Sequence, residues 1–94
     1  MSQTEETMLL KVGSSSTPQS VATAIQKSIF DSNIYPSLRA IGHGAVGQAV
    51  KAIAIARGHV AARAVDLGVI IGFDTITNKD GEEISAIIFH TFRR

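Results

Sequence analysis

The sequence is most informative in what it lacks. Its 94 residues include no cysteine, and only 5% of them are aromatic. The absence of cysteine excludes a disulfide framework and thiolate metal sites, and it is typical of a reducing compartment such as the cytoplasm. No apolar run is long enough to cross a bilayer. We therefore expect a cytoplasmic protein that does not associate with a membrane.

Neither basic nor acidic residues are in large excess. Nine Lys and Arg residues stand against eight Asp and Glu, a formal net charge of +1. Without Glu5 and Glu6, residues 8–94 carry nine basic and six acidic side chains, a net charge of +3. This mild excess falls short of the strong one that marks many nucleic-acid-binding proteins. Residues 1–7 are polar and unlike a signal peptide; we expect a flexible tail there, followed by one domain over residues 8–94.

The hydrophobic pattern predicts an α/β domain of six elements. Apolar runs of strand length alternate with segments whose apolar residues recur every three or four positions, as in helices. Strands are predicted over residues 8–12, 35–41, 65–77 and 84–92, and a hairpin turn over 78–81 joins the last two. The order β-α-β-α-β-β corresponds to an α+β two-layer sandwich, with two helices on one face of a mixed four-stranded sheet.

The start of the first helix is marked by its polar residues. One possibility is Thr17 as N-cap with Pro18 at the first helical position, and the other is a capping box of Ser16 and Gln19. The sequence Asp31-Ser32-Asn33 is predicted to end this helix.

The second helix, from Ala45 onward, has two apolar faces. The wider face is predicted to enter the core and consists of Val46, Ala49, Val50, Ile53 and Ala56. The opposite face is either a second layer of the same core or a subunit interface, and it consists of Gln48, Lys51, Ala52 and Ile55. Arg57 followed by Gly58 predicts the end of the helix, with the glycine in a left-handed cap.

Three glycines at the start of this helix form a G-x-G-x-x-G pattern. Gly42, Gly44 and Gly47 would suit the phosphate turn of a dinucleotide-binding unit, which also needs an acidic residue at the end of the next strand. Asp66 has the right distance in sequence, but it lies at the start of that strand. The pattern therefore favours an anion-binding helix N-terminus over a nucleotide cofactor site.

The central segment, AIGHGAVGQAVKAIAIARG over residues 40–58, closely resembles the stage V sporulation protein S family. The segments Leu10-Lys11-Val12, Val21-Ala22, Val65-Asp66-Leu67 and Asp80-Gly81-Glu82-Glu83, together with Pro18 after a serine-rich turn, resemble the same family. The likeness covers essentially everything after the tail. It implies a variant of the Alba fold, a homodimer or higher homo-oligomer that binds DNA or RNA, and, in spore formers, a role in development.

The chain departs from the Alba pattern at two places. Alba proteins tend to carry Arg or Lys just before the second helix and near position 48, where this chain has the neutral residues Gly42, Gly44 and Gln48. The arm between their third and fourth strands is often basic, whereas here Lys79 is outnumbered by the acidic residues of 80–83. An acidic arm is repelled by phosphate, so a weaker or more selective interaction, with RNA or single strands, is expected rather than high-affinity coating of duplexes.

The nucleic-acid contacts are predicted around the turn between the second strand and the second helix. Arg39 and His43 flank the turn, whose Gly44–Gly47 amides are expected to hold a phosphate, and Lys51 projects one turn further along the helix. The predicted contact residues are Lys11, Arg39, Gly42, His43, Gly44, Gln48 and Lys51. Arg57 is expected to be only a helix-end cation and Arg93-Arg94 a frayed basic tail.

Catalytic and metal-binding patterns are weak. His43, His59 and His90 lie on three different predicted elements without ligand spacing. Asp66 and Asp74 have even spacing on the third strand, which puts them on one face but too far apart for a catalytic carboxylate pair. We predict no enzyme activity, no cofactor and no metal.

The few aromatic residues offer little for base stacking. Phe30, Phe73, Phe89 and Phe92 have spacings that suit the core. Tyr35 alone is placed to stack a base, and packing at the rim of the core is the simpler role for it.

Two functions from different classes remain. The first is a non-enzymatic, dimeric nucleic-acid-binding regulator that uses the glycine turn, and the family likeness favours it. The second is a regulatory or scaffolding module that binds a protein partner through the Gln48–Ile55 face or an open sheet edge, and the modest charge favours it.

Overall fold

The computed structural model describes residues 8–94, and the tail predicted for residues 1–7 lies outside the described residues. Six elements occur in the predicted order. They are β1 (Leu9–Val12), α1 (Pro18–Ser32), β2 (Ser37–Ala40), α2 (His43–Ala61), β3 (Leu67–Thr77) and β4 (Glu83–Arg93). The strands form one mixed sheet in the order β1-β2-β4-β3. The predicted α+β fold is confirmed.

The register of the sheet separates a helix-covered face from an open face. β1 and β2 are parallel, and β4 is antiparallel to both β2 and β3. Leu38 and Phe89 are register partners and are fully buried, so their face carries the helices. Because side chains alternate along a strand, the neighbouring partners Lys11 and Arg39 lie on the open face.

The first helix begins as one of the two predicted alternatives. Thr17 is the N-cap in an extended conformation, and Pro18 occupies the first turn. The Thr17 side chain makes no capping hydrogen bond, and the Ser16 hydroxyl instead accepts a hydrogen bond from the Gly13 amide at 2.9 Å. The helix stops at Asn33, which adopts the left-handed conformation with φ of 54°. Proline geometry, not a capping box, therefore sets the start.

The second helix is longer than predicted, because Gly58 does not end it. Helix α2 continues to Ala61, where Val60 is fully buried and anchors the last turn. The left-handed residue is Ala64, with φ of 66°, six positions beyond Gly58. Packing of the last turn thus outweighs the local preference of glycine for a cap.

The core face of α2 is rotated from the predicted one. Val50 is 51% exposed, whereas Ala52 is completely buried. The buried residues of this helix are Ala45, Ala49, Ala52, Ile53, Ala56 and Val60. The Gln48–Ile55 face lies toward α1, because Gln48 bonds the Ser16 carbonyl at 2.8 Å and Ile55 packs on the core. Ala52 and Ile55 therefore form a second layer of the same core, whereas Lys51 on this face is exposed.

The aromatic residues follow the prediction only in part. Phe89 is buried, and Phe30 and Tyr35 pack against the core cluster. Phe73, predicted to be in the core, is 83% exposed, and Phe92 is 38% exposed. Phe73 is exposed because the β3–β4 hairpin extends beyond the area that the two helices cover, and Phe92 is exposed because it lies on the open face of the sheet. No helix within residues 8–94 is long and apolar enough to cross a membrane.

Candidate nucleic-acid interface

Both helices begin at the same edge of the sheet. β1 and β2 are parallel, so their carboxyl ends meet at one edge, and α1 and α2 each start directly after one of these strands. The serine loop before α1 rests on the first turns of α2. A methyl group in place of the Gly44 hydrogen would lie 2.8 Å from Cβ of Ser14, so only glycine permits this approach.

The first turn of α2 presents unpaired backbone donors. Its first helical hydrogen bond runs from the Val46 amide to the Gly42 carbonyl at 3.0 Å, so the amides of residues 43–45 have no intrahelical partner. Gly42 holds φ of 89°, and no side chain caps the helix. The sequence predicts that the amides of residues 44–47 hold a phosphate. In the structure the amides of Val46 and Gly47 bond within the helix, so the unpaired amides are those of residues 43–45.

Neither helix start carries a neutralising charge. The first turns of α1 and α2 contain no acidic residue. The partial positive charge of each helix N-terminus is therefore unopposed by its own first turn, which favours an anion there.

Lys11 and Arg39 lie side by side on the open face near this edge. They are register partners on β1 and β2, and both line a shallow cavity of about 350 Å³ together with Gly13, Ile41 and Ile76. Arg39 is partly neutralised by Asp74 of β3, with Nη1 and Oδ2 at 3.7 Å. Sequence reasoning missed this partner, because the contact depends on the order of the strands in the sheet.

The remaining predicted residues have different environments. His43 and Lys51 are exposed on α2, and Gly42 and Gly44 shape its first turn. Gln48 is half-buried, and its amide donates to the Ser16 carbonyl. The structure thus gathers the turn, the serine loop, Lys11 and Arg39 at one edge, whereas the Gln48 side chain holds the serine loop in place.

The β3–β4 hairpin ends beside this edge in an acidic tip. Ala40, the last residue of β2, pairs with Ile87, and β4 continues four residues further to Glu83. The tip is ordered by Asn78, whose Oδ1 accepts hydrogen bonds from the amides of Asp80 and Glu82, both at 2.9 Å. The acidic residues of the tip therefore lie on the same side of the sheet as the two helix starts.

The three histidines lie at separate places in the structure and have different hydrogen-bond partners. His43 and His59 occupy opposite ends of α2 rather than two elements. His59 accepts a hydrogen bond from Gln26 at 2.7 Å, and His90 shares one with Ser37 at 2.8 Å. Within residues 8–94 no three His, Asp or Glu side chains are grouped to hold a metal.

The two aspartates considered as a carboxylate pair, Asp66 and Asp74, lie at opposite ends of the sheet. Asp74 pairs with Arg39 beside the helix starts. At the far end, Asp66 pairs with Arg57 and Arg94. The two aspartates therefore take part in separate ion-pair groups and do not form one acid–base site.

The match to a protein-family model covers the whole of the described domain. The model of the family described as stage V sporulation protein S matches residues 8–94. The match includes the whole sheet, both helices and the segment that shapes the two helix starts. On this evidence the chain belongs to the stage V sporulation protein S family.

Proposed function

We propose that this protein is a non-enzymatic regulator that binds nucleic acid at the β2–α2 turn. Family membership supports a regulatory role in sporulation. The observation that carries the binding proposal is the pair of uncapped helix N-termini at one edge, without an acidic residue in either first turn. Lys11 and Arg39 beside them supply the cations that phosphate contacts require.

The charges around the turn favour a modest affinity. Arg39 is partly neutralised by Asp74, and the acidic hairpin tip extends past the same edge. Single-stranded DNA or RNA can approach the turn without passing along the tip, whereas a rigid duplex reaches further across this side. We therefore propose single strands as the preferred ligand of the turn.

The test is fluorescence anisotropy of labelled duplex DNA, single-stranded DNA and RNA at two salt concentrations. Binding is expected to weaken as salt rises, because each phosphate contact releases a counterion. Lys51→Glu is expected to weaken binding, and Arg39→Ala is expected to lower the salt dependence by about 0.7 in log–log slope for single strands. Lys27→Glu is the matched control, since it makes the same charge change on an exposed position of α1.

The outcomes separate the two classes of function. No binding of the wild-type protein to any probe at low salt would leave the protein-binding module as the better explanation. That alternative loses one of its two surfaces, because the Gln48–Ile55 face packs toward α1. Equal effects of Lys51→Glu and Lys27→Glu would instead show that binding does not use the turn.

A second proposal concerns assembly: we propose that the protein forms a homodimer through α2 and β3. Val50, Ile71 and Phe73 are exposed at 51%, 60% and 83%. Ile71 and Phe73 project on the helix-covered side of β3, as register partners of Phe89 and Ile87. Val50 lies on the side of α2 toward β3, because Arg57, seven residues later, reaches Asp66 just before β3.

The family resemblance implies a dimer, and we propose this apolar patch of Val50, Ile71 and Phe73 as its interface. A two-fold interface buries the same patch on both subunits, which would remove all three side chains from water at once. Sedimentation velocity is expected to show a dimer that Phe73→Ser or Ile71→Ser converts to a monomer. Ile70→Ser is the matched control, because Ile70 is 62% exposed on the opposite face of the same strand. A wild-type monomer would contradict this proposal.

A further inference from the structure

Four of the nine Lys and Arg side chains converge at the end of the molecule opposite the glycine turn. They come from α2, from the turn after it and from the end of β4. We call this group the arginine surface; its members are Arg57, Arg63, Arg93 and Arg94. The last turn of α2 and the start of β3 bring these three elements together.

Most of the positive charge on this surface is unpaired. Asp66 lies 3.9 Å from Arg57 and 3.8 Å from Arg94, and the side chains of both arginines remain 62% exposed. Within residues 8–94, no carboxylate lies within ion-pair distance of Arg63 or Arg93. Two long, exposed ion pairs contribute little, so most guanidinium donors stay available for a ligand.

The arginines are held in place by contacts that use few of these donors. The guanidinium of Arg63 lies over the Phe30 ring, 3.9 Å from its centroid. The Arg94 amide donates to the carbonyl of Asp66, the residue before β3, at 2.8 Å, so Arg94 is held in place and is not the frayed tail predicted from the sequence. Arg93 makes one hydrogen bond, at 3.4 Å, to the Ala64 carbonyl.

A partly exposed aromatic ring lies beside one of these cations, Arg94. Phe92 and Arg94 both fold over Gly68: a methyl group there would lie 2.7 Å from Cζ of Phe92 and 2.7 Å from Cγ of Arg94. Phe92 is partly exposed on the open face of the sheet. Cations near helix C-termini stabilise the helices, which would account for Arg63 and Arg93. This does not account for Arg94, which packs beside the exposed Phe92 ring on the open face.

We propose that the arginine surface, with Phe92, is a second binding surface for single-stranded nucleic acid. The guanidinium groups would contact phosphates, and the Phe92 ring would stack on an unpaired base. Arginine beside an exposed aromatic ring suits a single strand, because the bases of a duplex are not free to stack on a side chain. This inference rests on the proposed function and extends it to a part of the chain that the glycine turn does not include.

The two surfaces are well separated. Helix α2 has 19 residues and spans about 28 Å, with the glycine turn at one end and the arginine surface at the other. The acidic tip lies at the glycine-turn end. Charges further apart than a Debye length of about 8–10 Å are largely screened from each other. The acidic tip therefore repels a phosphate less at the arginine surface than at the glycine turn.

The test uses the full chain and a labelled single strand of about 15 nucleotides, with a duplex of the same sequence beside it. Arg94→Ala and Arg63→Ala are each expected to lower the salt-dependence slope by about 0.7. Lys79→Ala removes the same charge at the hairpin tip and is expected to change the slope least. Phe92→Leu is expected to weaken single-strand binding about tenfold while leaving duplex binding nearly unchanged.

Gly68→Ala adds a test that leaves charge unchanged. The new methyl group displaces the Phe92 ring and the Arg94 side chain, so single-strand binding is expected to fall while thermal stability changes little. If Lys51→Glu weakens binding but the Arg94, Arg63 and Phe92 variants do not, the turn is the binding site and the second surface is refuted. No binding by the wild-type protein to either probe would refute both proposals.

Discussion

Replacing Gly58 by alanine is expected to stabilise the protein. Gly58 is exposed inside α2, three residues before Ala61, and a methyl group added there would have no atom within 4 Å. Glycine in a helix interior costs about 0.5–1 kcal/mol relative to alanine. With nothing to clash, Gly58→Ala should recover most of that free energy, which corresponds to an increase in Tm of about 2–8 °C for a domain of this size.

The sign of this change separates two descriptions of the helix. If Gly58 were the left-handed cap that Arg57-Gly58 suggests, alanine would cost about 1–2 kcal/mol, and Tm would fall. Urea unfolding followed by circular dichroism gives the free-energy difference, at a fixed protein concentration because assembly adds to apparent stability. A destabilised Gly58→Ala variant would refute the continuous helix.

Gly42→Ala is the control for the same helix. A methyl group at Gly42 would also meet no neighbouring atom, but the φ of this residue is 89°, so alanine there is strained by the backbone alone. We expect it to lose about 1–2 kcal/mol. Opposite signs at these two uncrowded glycines would show that backbone conformation, rather than packing, decides the outcome.

Three further results are expected. Gln48→Ala should cost about 1 kcal/mol in urea unfolding, because it removes the hydrogen bond to the Ser16 carbonyl; a loss of nucleic-acid affinity with unchanged stability would instead make Gln48 a contact residue. Phe89→Ala should cost about 3–5 kcal/mol, as expected for a large buried side chain, and a cost below about 1 kcal/mol would contradict the core described here. Removing one of the three carboxylates of the hairpin tip with Glu82→Gln should tighten binding of duplex DNA in anisotropy measurements, because the tip projects at the glycine-turn edge; unchanged affinity would place the bound duplex away from that edge.

The order and type of the elements follow from local signals. Strand-length apolar runs, Pro18 at a helix start and the Asn78–Gly81 turn each constrain the nearby backbone regardless of the rest of the chain. The structure confirms all of them, with boundaries that differ by a few residues. Sequence predicts such features because their causes lie within a few residues.

The rotation of α2 could not be predicted in that way. A hydrophobicity pattern ranks Val50 above Ala52, yet Val50 is exposed and Ala52 is buried. Helix α2 packs against α1, and the distance between two packed helices depends on the size of the side chains between them, so a small buried residue such as Ala52 suits this packing. The prediction for Phe73 is wrong for a related reason: the sequence does not show how far the hairpin extends past the helices.

The sequence predicts the glycine turn at the start of α2, but not the side chains that lie beside it across the sheet. The glycine turn is local, so its helix N-terminus was correctly located. Lys11 beside Arg39, and Asp74 opposite Arg39, both depend on the register of strands that are distant in sequence. The arginine surface was missed because its members are up to 37 positions apart and meet only where α2, β3 and β4 converge.

The acidic tip and the arginine surface lie at opposite ends of the molecule, and this separation changes what the small net charge implies about nucleic-acid binding. A net charge of +1 argues against nucleic-acid binding only if the charges are mixed evenly. Here the two ends of β4 lie about 35 Å apart, with Glu83 at the acidic tip and Arg93 at the arginine surface. At physiological salt each end acts on a phosphate by its own local charge. The acidic tip therefore weakens the proposed phosphate binding at the glycine turn but not at the arginine surface, so a net charge near zero does not argue against the proposed function.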